Sequence, residues 1–102
     1  MASAKSPSLL SPSQLEEVAA LFKMLGEPMR LRILQAVCKE PLSVNEIVEV
    51  AKSTQANVSK HLALLTAAGI LRRERDGQRV FYSVKEPLVM RLCENVRANW
   101  LD

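Results

Sequence analysis

Aromatic residues are scarce in this 102-residue chain, which has two Phe, one Tyr and one Trp, and glycine is scarcer still, at three. A β-sandwich or barrel draws on many turn glycines and aromatic strand residues, so both scarcities argue against one. Two cysteines are too few to staple a small secreted scaffold. With a single histidine beside them, a transition-metal centre is short of donors, because it gathers three or four Cys, His or carboxylate ligands. No apolar run approaches the roughly 18 residues of a spanning helix, so no membrane partner is expected. The start, MASAKSPSLLSPS, has one Lys and no apolar core, so no secretory signal is expected and a cytoplasmic location is. P-loops, glycine-rich cofactor loops and readable nucleophile–base pairs are all missing. An enzyme is therefore not expected, and no cofactor is.

What is present suits one folded domain. Apolar residues make up 48% and charged residues 25%, an ordinary balance for a globular chain. Residues 1–10, rich in Ser, Pro and Ala, read as a disordered leader. Residues 11–102 read as the domain. The net charge of +3 is unevenly spread. Residues 1–51 hold five Lys/Arg and six acids, and residues 80–102 hold three of each. Residues 52–79 hold six Lys/Arg against Glu74 and Asp76. Clustered positive charge is the footprint of a polyanion partner, although a solvated basic face would look similar.

The pattern along the chain predicts about five helices and a two-stranded wing, a mainly α fold. Ser11 or Ser13 can cap a first helix carrying Leu15, Val18, Ala19, Phe22 and Leu25, ended by Gly26. Glu27-Pro28 opens a second helix, with Leu31, Leu34, Val37 and Cys38 on one face, and Pro41 stops it. Ser43 caps a third helix, and Glu46 completes a capping box. After a short turn at Lys52-Ser53, Thr54 caps a fourth helix running to Ala68, closed by Gly69. The period then changes to two, in residues 70–75 and 78–84 around Asp76-Gly77, a strong hairpin signal. Pro87 starts a last helix with Val89, Leu92, Cys93, Val96 and Trp100 on its apolar face.

The third and fourth helices, joined by about three residues, have the spacing of a helix-turn-helix. Its second helix needs an apolar face for the scaffold and a short-chained polar face for the groove. Val58, Leu62 and Leu65 supply the first; Gln55, Asn57, Ser59, Lys60 and His61 are expected opposite. Gln and Asn can bond adenine in a bidentate way, and Ser reaches bases or phosphates. Lys60 and His61 are expected at the backbone, with Ser53 and Thr54 where the helix N-terminus favours phosphate. Arg73, Arg75, Gln78 and Arg79 flank the hairpin tip, where a basic wing reaches a neighbouring backbone or minor groove. Double-stranded DNA is the expected partner. A winged-helix module that binds protein is the alternative, and it would show weak, salt-insensitive DNA affinity.

The runs PMRLRIL, LSVNEI, QANVSKHLALLTAAGIL and DGQRVFYSV resemble the ArsR/SmtB family of winged helix-turn-helix repressors over about residues 13–101. The most specific piece is Val58-Ser59-Lys60-His61-Leu62 with Leu65, followed by Gly69-Ile70-Leu71. The resemblance implies a homodimer joined by the first and last helices. It also implies two recognition helices on an inverted-repeat operator, and repression relieved by a chemical signal. By position, Ser53, Gln55, Asn57, Ser59, Lys60 and His61 match the recognition helix, and Arg75, Gln78 and Arg79 match the wing.

Many members of that family bind metals, and here the chain departs from them. SVNEIVEV has no cysteine and the last helix has no histidine. Cys38 and Cys93 remain as a candidate thiol sensor of persulfides or oxidants, because some members use one cysteine on each of these helices. Cys38 sits about one turn later, and Cys93 about two turns earlier, than that pair. A bridge would need Cα atoms within about 7 Å. The alternatives are small core cysteines, with a metal or small molecule as the inducer.

Overall fold

The computed structural model describes residues 9–101. Five helices and three strands follow in the order α1 (Pro12–Leu25), α2 (Pro28–Val37), β1 (Leu42–Ser43), α3 (Val44–Ala51), α4 (Gln55–Ala67), β2 (Leu71–Asp76), β3 (Arg79–Val84) and α5 (Leu88–Asn99). Of the expected leader, all but Leu9 and Leu10 lies outside the described residues.

Local chemistry accounts for the boundaries. Ser11, of the two candidate caps, accepts from the Gln14 amide at 3.2 Å, and the Gln14 side chain accepts from the Ser11 amide in return. Glu27 caps α2 through the Met29 amide at 2.7 Å. Ser43 and Glu46 form the expected reciprocal box on α3. The Ser43 backbone N–H donates to that carboxylate at 2.8 Å and, with the neighbouring Ser43 hydroxyl, holds Glu46 below its ordinary pKa. Thr54 caps α4 through the Asn57 amide. At Gly26 the backbone φ is −80°, so handedness is not the requirement. A Cβ there would lie 3.2 Å from the Phe22 carbonyl, and close approach is what calls for glycine.

The core is built where α2, α3, α4 and the sheet meet. Ile33, Leu34 and Val37 come from α2, Ile47 and Ala51 from α3, and Val58, Leu62 and Leu65 from α4. Leu25 and Val89 bring in α1 and α5. Leu21, Met24, Met90 and Leu92 of the terminal helices pack half-buried against this core, while Leu15 and Phe22 are 55% and 58% exposed and Trp100 is 79% exposed.

The sheet departs from expectation by one strand. It is antiparallel with order β1-β3-β2, and β1 pairs Leu42 with Tyr82 and Ser43 with Phe81. Two residues cannot show a period of two, and Ser43 already carries the helix-cap signal of α3. The hairpin β2–β3 pairs Leu71 with Val84 through Asp76 with Arg79, and Gly77 turns it at φ +66°.

Candidate nucleic-acid interface

Helices α3 and α4 are separated by Lys52, Ser53 and Thr54. Lys52 takes the left-handed conformation, φ 55°, and its amide closes on the Val48 carbonyl. That reversal sets α4 across α3. Ser53 is then tied forward, since its hydroxyl accepts from Asn57 Nδ2 at 3.0 Å. This bond commits one Asn57 amide hydrogen to bracing the turn, and leaves the side chain half-buried.

The outward face of α4 carries Gln55, Ser59 and Lys60, all exposed, with Thr54 exposed at its cap. Its inward face buries Val58, His61, Leu62 and Leu65. His61 is therefore a correction: it was expected on the outer face and is 5% exposed. The reason is helical geometry. Residue 61 lies three after Val58 and four before Leu65, the spacing of one face. Polarity pointed outward; angle decided inward.

Inside, His61 Nδ1 accepts from Arg30 Nε at 3.2 Å. The same guanidinium donates through Nη1 to the Met24 carbonyl at 3.2 Å and meets the Met24 sulfur at 3.1 Å. Burial first, then the charges of Lys60 and Arg30, hold His61 below its ordinary pKa, with Glu27 opposing. A neutral ring accepting at Nδ1 carries its proton on Nε2. Arg30 went unrecognised in the sequence reading, because its partner lies 31 positions away. No local pattern signals such a pair.

The wing sorts its charges by face. Strand alternation and register put Arg73 and Arg75 on the side of Tyr82 and Val80. Glu74, Asp76, Phe81 and Arg79 share the other side. There Arg79 stacks over the Phe81 ring at 4.9 Å. All four expected wing residues, Arg73, Arg75, Gln78 and Arg79, are exposed. One open groove is lined by Ser43, Glu46, Gln55, Gln78, Arg79 and Val80, among others. The structure thus brings the start of α4 and the tip of the wing together, and leaves Arg73 and Arg75 on a separate face.

Cys38, expected on an apolar face, is exposed at the C-cap of α2, and its thiol donates to the Gln35 carbonyl. Cys93 is half-buried on α5. Neither is a closed core residue. Among the described residues, no three Cys, His, Asp or Glu side chains converge as metal ligands. Among the described residues, no helix is long and apolar enough to cross a membrane.

A helix-turn-helix whose second helix exposes short polar side chains, with a basic hairpin beside it, defines a winged helix-turn-helix DNA-binding domain. Comparison with known proteins agrees. A helix-turn-helix domain model matches residues 25–74. A transcriptional repressor SmtB homolog from Synechocystis is 30% identical over 88% of this chain and 68% of its own length. The transcriptional repressor PagR of Bacillus anthracis is 37% identical over 74% of this chain and 76% of its own. In structure, the homodimeric winged helix-turn-helix DNA-binding domain of a possible ArsR-family regulator from Mycobacterium bovis superposes with a TM-score of 0.77. It covers 94% of each chain at 24% identity, a match of fold. The chain belongs to the ArsR/SmtB family of DNA-binding transcriptional repressors.

Proposed function

We propose that this repressor binds an inverted-repeat operator as a homodimer, one α4 in the major groove of each half-site and one wing against the adjoining backbone. The observation that carries this reading is the shared groove joining Gln55 of α4 to Gln78 and Arg79 of the wing. Gln55 is the base reader, with Asn57 offering its remaining amide groups beside it. Ser53, Thr54, Ser59 and Lys60 hold phosphates, and so do Arg73, Arg75 and Arg79 from the wing. His61 supports these residues from inside. The dimer rests on α1 and α5, whose Leu15, Phe22, Val96 and Trp100 find no cover within one subunit.

The test is binding to duplexes selected from a random pool. A reader with this many cationic contacts should lose about a thousandfold in affinity between 50 and 200 mM salt. Gln55→Ala should relax preference at one position per half-site, by about 1–3 kcal/mol of discrimination. Weak binding with no salt dependence would favour a protein-binding module instead.

A thiol signal is the second part of the reading. Exposure of Cys38 and partial exposure of Cys93 support it, because oxidants and persulfides need access to sulfur. Persulfide treatment should consume both thiols and release DNA. Loss of that response in Cys38→Ser and in Cys93→Ser is expected. An unchanged response in both variants would leave the inducer a metal or another small molecule.

A further inference from the structure

The half-buried polar joint beneath α4, closed by the buried His61 ring, has no place in groove contact or in dimerisation. It links three helices. Arg30 stands on α2, holds the last turn of α1 through the Met24 carbonyl, and holds α4 through His61. Ser59 and Lys60 immediately precede His61, so a shift of that ring moves them directly. A guanidinium is always a donor and never an acceptor. The joint therefore requires an imidazole nitrogen with a free lone pair.

We propose that Arg30 is a positioning residue for DNA binding, fixing α4 against α1 and α2 through a bond that lasts only while the His61 ring is neutral. The inference rests on α4 being the reading helix. Protonation puts an N–H on Nδ1, so the acceptor is lost and two cations face each other where the hydrogen bond was. The charged groups facing the ring are Arg30 and Glu27 from α2 and Lys60 from α4 itself. Two cations thus oppose one carboxylate, and Glu27 is already engaged as the cap of α2. Helix α1 brings the uncharged carbonyl and sulfur of Met24; α3 and the sheet add no charge to that set. Cooling of the acid response by a nearby anion is therefore small.

The sign of the effect separates this role from a groove contact. A histidine touching phosphate would tighten binding as it gains charge. A histidine holding a positioning bond loosens binding. The chain has one histidine, held below the pKa of a free imidazole, so an acid response that sets in below pH 7.0 and is absent from His61→Asn reads this ring.

The experiment measures Kd by fluorescence anisotropy for a labelled duplex of about 30 base pairs, selected from a random pool by the unmodified protein at pH 7.0. The unmodified protein should lose affinity between pH 7.0 and 5.5, by less than the roughly tenfold per subunit that an ordinary imidazole would give, with helical circular dichroism retained. His61→Asn keeps a polar atom near the Nδ1 position and cannot titrate there. It should bind close to the parent at pH 7.0 and stay flat to pH 5.5. Arg30→Met and His61→Leu should be weak and flat at both values. Equal or tighter binding at pH 5.5 overturns the proposal, as does an acid loss shared by His61→Asn. Loss of helical signal in step with affinity overturns it too, by assigning the pair to stability alone. If Lys60→Ala and Gln55→Ala both bind like the parent at pH 7.0, the assignment of α4 as reader falls, and the proposal falls for that separate reason.

Discussion

Helices α4 and α5 are nearly the same length, at 13 and 12 residues, yet they are held in opposite ways. Helix α4 buries four side chains and is bonded to α2 by Arg30; α5 buries Val89 alone among its residues and leaves Val96 and Trp100 in solvent. A reading helix must arrive at the groove with its geometry already set, since misplaced donors lose their contacts. A helix that joins subunits can keep its apolar face open until the partner arrives. The contrast separates the surface that one subunit completes from the surface that it does not.

Leu62→Ala attacks the completed side and should have the largest effect. Leu62 is fully buried at the centre of the core. Its truncation should cost about 2–5 kcal/mol of unfolding free energy in a urea melt. Trp100→Ala attacks the open side. The side chain is already 79% exposed in one subunit, so the fold should hold while assembly weakens. Sedimentation velocity should show a shift toward monomer at micromolar protein, with unchanged helical content. A Trp100→Ala chain that unfolds instead would erase the contrast.

Smaller effects sharpen it. Lys60→Ala should weaken binding to all sequences and reduce the slope of log affinity against log salt by about 1 per contact. Ser43→Ala removes half of the reciprocal cap of α3 and should cost about 1 kcal/mol. It should also blunt the acid response of stability. The Ser43 backbone N–H is the larger cause of the lowered Glu46 pKa and survives in the variant; the hydroxyl's smaller share is full above the ordinary carboxylate range and fades as pH falls below it. The parent should therefore lose slightly more stability than Ser43→Ala as pH falls from neutral to below the ordinary carboxylate range.

Much of this architecture was legible beforehand. The capping box at Ser43, the cap at Thr54, the hairpin turn and the Val58/Leu62/Leu65 stripe all depend on residues within a few positions of one another, whereas the first cap stayed open between Ser11 and Ser13. Strand β1 was hidden because two residues show no period. His61 was misplaced because its polarity outweighed its helical angle. The unburied Leu15 and Phe22 on α1 look identical in sequence to residues that face a core.

The sequence by itself determined the five helices, most of their caps, the wing hairpin and the basic segment, because caps, turns and periods are local interactions written over a turn or two of chain. Tertiary structure decided that Arg30 meets His61 across 31 positions. It also decided that the wing divides its arginines between two faces, and that the terminal helices keep apolar surface open. Each of those depends on which distant side chain occupies the adjoining space, and packing in three dimensions alone selects that neighbour.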